Sequence, residues 1–447
     1  MISEEHEGRF AYHFTLIENL DSILENGILA TNFKNKKKIS HKDIANAGIQ
    51  HRRSTMMVNK GPGGVVHDYV PFYFAKRTPM LLSLVKTKNI DQNDVIYFAV
   101  SVNKILESNV IFSDASANTM MPPNFYAQAS SLERLDWELI DNRQWTYNEI
   151  AGQKNRKMAE MLVHEKVELC DISYIVVWNV HYKKYVQDVL REAGFENIPV
   201  VTDFYNYFMD HYFCQFGEPK RRNLVTGPRL LKRLMRKYFL DVLEVGPENE
   251  GFGSVSEALD AIQNDFDCIK ELAEINGLPT ANKIHKEDVG AHSRSVAARV
   301  VKDSHFSKFT EEEQECLILA AYLHDIGKGP KSRWEKGIQE VDEDHAKKSL
   351  PMLKRIFTED IGGWTKEQLR IVFMLVTYDD LIGDIVAKNR DSRQIIDVVK
   401  TKRHVDLLIA IGKADMGAIR EAWVADNLES IEEVRANAYR ALEGKYD

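Results

Sequence analysis

Hydrophobic residues follow two different patterns along the chain. In the first half, residues 94–102 (DVIYFAVSV), 174–180 (YIVVWNV) and 198–202 (IPVVT) are apolar runs rich in valine, isoleucine and aromatic residues, which predicts buried strands. From residue 255 onwards the apolar positions keep the spacing of a helix face, as in Leu259, Ile262, Phe266, Ile269 and Leu272. We therefore expect a half of mixed strands and helices and then a helical half, with the boundary between residues 215 and 250.

The segment TLIENLDSILENGI, residues 15–28, predicts a helix in the first half. Thr15 and Glu18 have the T-x-x-E spacing of a capping box, in which each side chain bonds to a backbone N–H of the other residue. Gly27 would end the helix. The apolar stripe would consist of Leu16, Leu20, Ile23 and Leu24.

Length and composition indicate the number of domains and the class of protein. The chain has 447 residues, which predicts two domains, and its 44% hydrophobic and 28% charged residues are typical of a soluble protein. No apolar run has the length of a membrane span, and the first ten residues are acidic and polar, so we expect no secretory signal, no membrane partner and a cytoplasmic location. The four cysteines are scattered without a C-x-x-C pair, which argues against a disulfide framework and for a reducing compartment.

The net charge of −8 argues against a surface that binds nucleic acid as a whole and leaves room for local basic patches. Phosphate neutralisation needs clusters of lysine and arginine, and two are present. The first is Lys34, Lys36, Lys37 and Lys38. The second, near the boundary, is Lys220, Arg221, Arg222, Lys232, Arg233, Arg236 and Lys237. A solvated helix face is the alternative interpretation of the second cluster.

Histidines and carboxylates lie on apolar faces in the helical half. His292 and Asp415 each share a helix face with aliphatic residues, and His324 with Asp325 ends the apolar helix ECLILAAYL, where Gly327 could act as the cap. A carboxylate on a buried face is costly unless a cation or hydrogen bonds compensate it. Imidazole with carboxylate suits Mn, Fe or Zn, or Mg with more water ligands. Each residue alone could be a satisfied core histidine or an ion-pair partner, but the set favours a metal site.

Four stretches then carry a resemblance: LAAYLHDIGKG, EDHAKKS, LVTYDDLIGDIVAKNRD and LLIAIGKADMGA. Residues 285–425 resemble the HD superfamily of metal phosphohydrolases and are most similar to the HD domain of bacterial uridylyl-removing enzymes. The resemblance implies an all-α HD domain with a divalent metal (Mn, Fe, Zn or Mg), Lys328 facing a phosphate, and His345 supporting a second metal. Asp379 stands where those enzymes place a histidine, and a carboxylate can serve there instead. The implied metal ligands are His292, His324, Asp325 and Asp415.

The first half contains arginines and a glutamate in unusual surroundings. IQHRRS precedes a Gly/Pro loop, HDYVPFYFAKRTPML is too irregular for a helix or strand face, and Glu160 stands at the entry to an apolar segment. A guanidinium can hold a pyrophosphate bidentately, and a carboxylate can stabilise the cationic sugar of a glycosyl transfer. Neither a G-x-G-x-x-G nor a P-loop stretch is present. The residues alone indicate an α/β domain with a nucleotide cleft.

Family resemblance is more specific. YHFTLIENLDSILENGI, IQHRR, GGVVHDYVPFYFAKRTPML, LERLDWELI and RKMAEMLV occur in this order, and residues 10–210 resemble the DarT toxins, which move ADP-ribose from NAD to a base of single-stranded DNA. The resemblance implies an α+β ADP-ribosyltransferase fold. It assigns NAD contacts to His13, Thr15 and Asn19, the nicotinamide pocket to Tyr73, the pyrophosphate to Arg53 and the catalytic acid to Glu160. Thr15 as a helix cap and Tyr73 as a core residue are the structural alternatives.

The complete prediction is a fused, two-domain enzyme. Residues 1–215 form the DarT-like domain, 216–250 a basic linker and 251–447 the HD domain. We expect a toxin or phage-defence effector that uses NAD, single-stranded DNA and a macrodomain antitoxin as partner. The DarT base-binding loop often reads F-T-D-R-H, whereas this chain reads FSDASANTMMPPNFY, which keeps Asp114 and lacks the Arg-His pair, so the base and the choice of DNA or RNA stay open.

Two alternatives belong to other classes. In the first, the N-terminal domain is only a nucleic-acid-binding module and the HD domain is a nuclease or nucleotidase. In the second, the HD domain restrains the transferase without turnover.

Overall fold

The computed structural model describes residues 2–42, 47–117, 122–143, 152–203, 210–213, 225–248, 251–281 and 287–444. Contacts divide the chain into two compact units. The N-terminal unit is Met1–Lys86 with Ile90–Arg221, and the C-terminal unit is Thr87–Asn89 with Arg222–Asp447. Each unit has its own hydrophobic core. None of the helices described is both long enough and apolar enough to cross a bilayer.

The N-terminal unit is a mixed sheet with helices around it. The described strands form a sheet in the order β10-β9-β4-β1-β3-β7-β5-β6, and all neighbours are antiparallel except β10 and β9. The strands are β1 Phe10–Leu16, β2 Ile28–Leu29, β3 Tyr69–Tyr73, β4 Val95–Ser101, β5 Val110–Ser113, β6 Phe125–Tyr126, β7 Glu160–His164, β8 Lys166–Val167, β9 Ile172–Val177 and β10 Val200–Thr202. The helices are α1 Leu20–Asn26, α2 Thr31–Lys36, α3 Ala47–Thr55, α4 Pro79–Lys86, α5 Trp137–Asp141, α6 Gln153–Arg156 and α7 Val180–Glu192. Short β2 and β8 pair separately.

The apolar runs form strands as predicted. Residues 94–102 contain β4, whose first six residues are all buried because the strand lies inside the sheet between β9 and β1. The runs at 174–180 and 198–202 contain parts of β9 and β10. Asn179 ends the strand region and caps α7, because its side chain accepts the N–H groups of His181 and Tyr182.

The predicted capping box at Thr15 is wrong. Thr15 lies in β1, where it pairs with Ile96 of β4, and the helix begins only at Leu20 after a short 3-10 turn. The Thr15 oxygen accepts a hydrogen bond from Asn19 Nδ2 at 2.9 Å instead of bonding to Glu18. Pairing with β4 extends the strand through the segment that local pattern assigned to the helix.

The described part of the C-terminal unit is built from helices: α8 Pro228–Val245, α9 Val255–Asn264, α10 Lys270–Ile275, α11 Val289–Val300, α12 Glu311–Leu323, α13 His345–Arg355, α14 Lys366–Thr377, α15 Leu381–Lys388, α16 Gln394–Val398, α17 Lys402–Ile419, α18 Glu421–Asp426 and α19 Leu428–Glu443. The helical periodicity of 255–275 belongs to two helices, α9 and α10, because Asp265 ends the first and a 3-10 turn follows. Thr310 and Glu313 form a capping box that begins α12.

Helix α8 lies within the stretch predicted to be a basic linker. Its Leu231 and Val242 are buried in the core of the C-terminal unit, while Lys232, Arg233, Arg236 and Lys237 are exposed. The apolar face of α8 is therefore part of that core. A fragment that begins at residue 251 would lose this part of it.

Gly327 has a role other than the predicted helix cap. A side chain at this position would place its Cβ 2.0 Å from the carbonyl oxygen of His345 and 2.5 Å from Ser349 Oγ. The Gly327 N–H donates to Ser349 Oγ at 3.0 Å. Glycine is needed here because the backbone of α13 packs directly against the 3-10 turn Ile326–Lys328.

Candidate functional site

Arg53 and Glu160 form a buried ion pair. Arg53 lies in α3, and Glu160 is the first residue of β7. Arg53 Nη1 donates to Glu160 Oε1 at 2.9 Å and Nη2 donates to Oε2 at 3.0 Å, with side chains that are 10% and 0% exposed. The Ala117 N–H adds a third bond, to Oε1 at 2.9 Å. Burial alone would lower the pKa of Arg53, but the Glu160 carboxylate outweighs burial and raises it.

Tyr73 is the neighbour of Glu160 in the sheet. Tyr73 ends β3 and is the Cα partner of Glu160 in β7 on one side and of Tyr12 in β1 on the other. Side chains of paired residues lie on one face, so these three point the same way. Burial, with the negative charge of Glu160, raises the pKa of Tyr73, which keeps the phenol protonated near neutral pH.

His13, Thr15, Asn19 and Tyr73 line one cavity of about 180 Å³. His13 Nδ1 lies 2.9 Å from the Pro71 carbonyl oxygen, and a carbonyl can only accept, so Nδ1 carries the hydrogen and Nε2 keeps its lone pair. Burial lowers the pKa of His13 to about 4, so the ring is neutral at pH 7. The cavity is small for a whole dinucleotide, since typical ligand pockets have about 300 to 1,000 Å³.

Asn19 acts through the backbone beside the cavity. Its Nδ2 donates to the Thr15 oxygen at 2.9 Å and to the Lys42 carbonyl at 3.1 Å, and its Oδ1 accepts the Lys42 N–H at 2.8 Å. These bonds fix the segment that ends at Lys42. Because the Thr15 oxygen accepts from Asn19, the Thr15 hydroxyl hydrogen can donate to a ligand.

The lysine run 34–38 is divided between two environments. Lys34 is half-buried, lines the same cavity and contacts His41. Lys36, Lys37 and Lys38 are exposed at the end of α2. Lys34 therefore belongs geometrically with the cavity residues, and the other three form a separate surface group. In the second basic cluster, Lys220, Arg221 and Arg222 lie outside the described residues.

Asp114 shapes its own loop. Its carboxylate accepts the Asn124 N–H at 3.0 Å, the Asn124 side-chain amide at 2.8 Å and the Tyr126 hydroxyl at 3.1 Å. The loop residues 118–121 lie outside the described part of the chain. Asp114 thus ties the end of β5 to β6, next to the segment whose Ala117 contacts Glu160.

The four predicted metal ligands converge in the C-terminal unit. His292 comes from α11, His324 and Asp325 follow α12, and Asp415 comes from α17. His292 Nε2 is 2.8 Å from Asp415 Oδ1, and His324 Nε2 is 3.4 Å from Asp325 Oδ2 and 3.7 Å from Asp415 Oδ1. Ligand atoms of His292, His324 and Asp325 lie within 4.8 Å of one another, which is close enough for one ion to touch all three.

A second set shares Asp325 with the first. Ligand atoms of Asp325, His345 and Asp379 also lie within 4.8 Å of one another, and all three residues are buried. His345 Nε2 is 3.4 Å from Asp379 Oδ2 and 3.8 Å from Asp325 Oδ1. Asp325 therefore presents Oδ2 to the first set and Oδ1 to the second. The aspartate at position 379 takes part in this cluster.

The bonding of these groups leaves two buried atoms available to a cation. His324 Nε2 and Asp379 Oδ1 are buried, and neither hydrogen-bonds to any residue in the described ranges; such atoms are available as ligands. Burial would lower the pKa of His345, but the bond to Asp379 raises it to about 10, so a metal ion would have to displace a proton from this ring. Burial would raise the pKa of Asp325, but the Lys328 ammonium and the histidines lower it.

Lys328 contacts a predicted ligand directly. Its Nζ donates to Asp325 Oδ2 at 2.6 Å, and the Asp325 carboxylate raises the pKa of this largely buried lysine despite the opposing effect of burial. The cavity over the ligands has a volume of about 310 Å³, and its wall also contains Lys388 and Trp423.

Two contacts have no signal in the local sequence. Ala117 reaches Glu160 through its backbone N–H, which any residue except proline has. Lys88, which groups with the C-terminal unit, is 5% exposed and lies 3.4 Å from Asp380 and 3.8 Å from Asp384. Both depend on residues that are distant along the chain.

The chain matches two protein families. Residues 12–209 match the family described as ssDNA thymidine ADP-ribosyltransferase, DarT, and residues 287–411 match the HD domain. A DNA ADP-ribosyl transferase of Thermus sp. (strain 2.9) is 31% identical over 202 residues, which are 43% of this chain and 94% of that protein. The corresponding enzyme of Escherichia coli O127:H6 is 27% identical over 165 residues, 35% of this chain and 73% of that protein.

A fusion protein and a solved structure are also similar. A DNA ADP-ribosyl transferase-DNA ADP-ribosyl glycohydrolase fusion protein of Thermosipho africanus is 24% identical over 247 residues, 55% of this chain and 61% of that protein. The structure of Thermus sp. 2.9 DarT in complex with ADP-ribosylated ssDNA is 29% identical, with a TM-score of 0.40 over 45% of this chain and 96% of that one.

The Thermus relative is covered almost completely, and the DarT match in this chain contains both Arg53 and Glu160. The HD match contains His292, His324, Asp325, His345 and Asp379. The chain belongs to the DarT family, and behind its DarT domain it carries a domain of the HD family.

Proposed function

We propose that the N-terminal unit transfers ADP-ribose from NAD to a base of single-stranded DNA. The observation that carries this proposal is the buried Arg53–Glu160 pair, paired in register with Tyr73 at the wall of a cavity. In such a transfer the bond from the ribose to nicotinamide breaks, and a bond from the same carbon to the base forms. The sugar gains positive charge in the transition state, which a fixed carboxylate stabilises.

The cavity residues have roles that follow from their bonding. His13 Nε2 can accept a ribose hydroxyl hydrogen, and the Thr15 hydroxyl can donate to the dinucleotide. Tyr73 would pack against nicotinamide, and Asn19 would act as a positioning residue through Lys42. Glu160 would be the catalytic residue. Arg53 would hold the Glu160 carboxylate in place and reach the pyrophosphate or the target base.

The base is proposed from the family. The matched family is described as acting on thymidine, and thymidine is the base that we propose. The loop around Asp114 departs from the DarT pattern, so the oligonucleotides in the test contain each of the four bases, and an RNA series is included.

Mass spectrometry of oligonucleotides after incubation with NAD tests this function. We expect the mass of one ADP-ribosyl group to be added to thymidine-containing single-stranded DNA. Glu160→Gln should abolish the addition while NAD still binds, since a transition-state contact affects rate more than ground-state affinity. Glu196→Gln, at an exposed position, is the matched control and should retain wild-type activity. Addition by the Glu160→Gln protein at the wild-type rate would rule out the catalytic role.

The HD domain is proposed to be a metal-dependent phosphohydrolase. The two ligand sets that share Asp325 support this, because a pair of cations with a common carboxylate is a frequent arrangement for phosphoester hydrolysis. His292, His324, Asp325 and Asp415 would hold the first ion. A divalent ion bound there would activate water and polarise a phosphoryl oxygen. Mn, Fe, Zn and Mg are the candidates.

Elemental analysis tests the metal site. The protein is loaded with Mn, Fe, Zn and Mg in turn, and bound metal is measured together with hydrolysis of a generic phosphodiester. We expect a metal in the wild type, none in Asp325→Asn, and the wild-type amount in the exposed control Asp426→Asn. Binding without hydrolysis would favour the alternative in which the HD domain regulates the transferase without turnover.

The cellular role is proposed from the modification itself. A base that carries ADP-ribose blocks replication, so we propose a cytoplasmic toxin or phage-defence effector. The Thermosipho relative is named as a fusion with a DNA ADP-ribosyl glycohydrolase, which supports a macrodomain antitoxin as a partner here. Expression of the wild type should arrest growth, and co-expression of such a glycohydrolase should relieve the arrest. An equal effect of Glu160→Gln on growth would contradict the transferase as the cause.

A further inference from the structure

The N-terminal unit contains a second, larger cavity. Its volume is about 460 Å³, within the range of about 300 to 1,000 Å³ typical of ligand sites. The segment that follows β3, residues 74–77, and the approach to β7 at Lys157 form part of its wall, together with Tyr12 of β1. The residues that line it in the described part of the chain include none of the predicted site residues.

The cavity is strongly positive. Five basic residues and two acidic ones line it, an excess of three positive charges in a chain whose net charge is −8. The basic residues are Arg9, Lys76, Arg77, Arg143 and Lys157, and the acidic ones are Asp141 and Asp210. A local excess of this sign, against the charge of the whole chain, fits an anionic ligand.

Two of these cations are buried close to each other. Arg77 is 8% exposed and Lys157 is 3% exposed. Lys157 Nζ donates to the carbonyls of Leu139 at 3.0 Å, Ile140 at 3.1 Å and Asn142 at 2.6 Å. Burial, followed by the charge of Arg77, lowers the pKa of Lys157 to about 8. An anion bound near them would offset this repulsion, and Arg77 could donate charge-assisted hydrogen bonds to it.

Aromatic residues accompany the charges. The hydroxyls of Tyr12 and Tyr174 are 3.2 Å apart, and the rings of Phe10 and Tyr174 meet edge to face at 5.0 Å. All three residues line the cavity. Cationic groups with aromatic rings are the combination that binds single-stranded nucleic acid, because phosphates pair with the cations and bases stack on the rings.

The sheet places this cavity next to the catalytic pair. Tyr12, Tyr73 and Glu160 are paired in register across the neighbouring strands β1, β3 and β7. Their side chains share one face, and two strand spacings put the Cα atoms of Tyr12 and Glu160 about 10 Å apart. A single-stranded DNA whose target base reached Glu160 would therefore pass this cavity within a few nucleotides of that base.

We propose that this cavity binds a backbone phosphate and its adjoining base in the single-stranded DNA substrate, beside the nucleotide that is modified. The proposal rests on the transferase function proposed above. Arg77 would hold the phosphate from inside, where the positive charge of Lys157 adds to the attraction, with Lys76 and Arg143 at the mouth. Tyr174 would contact the base.

The test uses the full-length chain and two matched double variants. Lys76→Gln with Arg143→Gln removes two exposed charges at the cavity. Lys184→Gln with Arg191→Gln removes two charges from α7, away from the cavity lining, and serves as the control. The KM for an oligonucleotide and the KM for NAD are measured between low and moderate salt.

The cavity variant should raise the KM for the oligonucleotide about tenfold at low salt. The slope of log KM against log salt concentration should fall by about 0.7 for each phosphate that the variant no longer neutralises. The KM for NAD should stay at the wild-type value, and the control should match the wild type in both constants. Arg77→Gln, inside the cavity, should also raise the KM for the oligonucleotide and leave the KM for NAD unchanged.

Two outcomes separate this inference from the proposed function. If the wild type modifies DNA and the cavity variant has the same KM and salt slope as the control, the cavity does not bind the strand and the transferase function stands. If the wild type modifies no oligonucleotide, the transferase function fails. In that case the binding of labelled DNA is measured instead. If the wild type binds DNA and the cavity variant shows the same salt slope as the control, the cavity inference is overturned as well.

Discussion

Replacing Glu160 by alanine should destabilise the N-terminal unit strongly as well as stop the transfer. The substitution leaves the Arg53 guanidinium buried without its partner, which typically costs about 3 to 5 kcal/mol. The Ala117 N–H loses its acceptor too, which costs about 1 to 3 kcal/mol more if the group stays dry. These losses overlap, so we expect the free energy of unfolding to fall by about 4 kcal/mol.

A matched ion pair on the surface provides the control. Arg9 and Asp141 are bidentate at 3.0 Å on both arms, the same geometry as the buried pair, but their side chains are 27% and 53% exposed. Asp141→Ala should therefore cost no more than about 1 kcal/mol. Arg53→Met with Glu160→Leu should recover most of the loss, because apolar groups of similar size replace both charges.

Hydrogen exchange of β4 measures this unit separately from the HD domain. Strand β4 is interior to the sheet, so its amides should exchange mainly through global opening of the unit. A loss of about 4 kcal/mol corresponds to exchange about three orders of magnitude faster. If Glu160→Ala accelerated β4 exchange no more than Asp141→Ala does, burial would not make this pair costly to break. The same conclusion would follow if β4 exchanged as fast in Arg53→Met with Glu160→Leu as in Glu160→Ala. Activity lost in Glu160→Ala should accordingly be assigned to chemistry only where Glu160→Gln loses it too.

Three further outcomes are expected. Asp325→Asn should remove bound metal and abolish metal-dependent stabilisation of the C-terminal unit in thermal unfolding, while ADP-ribose transfer remains; loss of both activities would show that the domains depend on each other. Lys36→Gln with Lys37→Gln should flatten the salt dependence of DNA binding without changing the KM for NAD. Lys34→Gln should instead raise the KM for NAD, because Lys34 lines the cavity. If the double variant raised the KM for NAD and Lys34→Gln changed only the salt dependence, the assignment of Lys34 to the cavity and of the other lysines to the surface would be wrong. Burial lowers the pKa of His13 to about 4, so its Nε2 should stay an acceptor down to about pH 5. The KM for NAD should therefore be constant from about pH 8 to 5 and rise as the pH falls towards 4; a rise centred near about pH 6.5 would mean that burial does not lower the pKa of this histidine.

The convergence of the four candidate ligands could be predicted because each of them carries its own local signal. A histidine or aspartate on the apolar face of a helix points towards the core, and helices that share a core bring such residues together. The periodicity around His292 and Asp415 therefore indicated an inward position for both, and in the structure His292 Nε2 lies 2.8 Å from Asp415 Oδ1. The sequence did not indicate that Lys328 would contact Asp325.

The transferase site was less accessible to local reasoning. Thr15 satisfied the spacing of a helix cap, but pairing with Ile96 of β4 made it a strand residue, and nothing near Thr15 encodes that pairing. The second, larger cavity was not predicted from the sequence. Arg77 and Lys157 come from separate segments, and only the antiparallel pairing of β3 with β7 brings the ends of those segments together.

The contact between Gly327 and α13 has a consequence for distant relatives. His345 begins α13, whose backbone packs against the glycine of the HD motif, and its ring donates to the carbonyl of Asp342 at the end of the connecting segment. The stretch between Trp334 and Asp342 could therefore gain or lose residues during evolution without displacing the histidine. A search for the second ligand set in divergent sequences should allow insertions after the HD motif. It should require a helix that begins with a histidine and has a small hydroxyl residue four positions later.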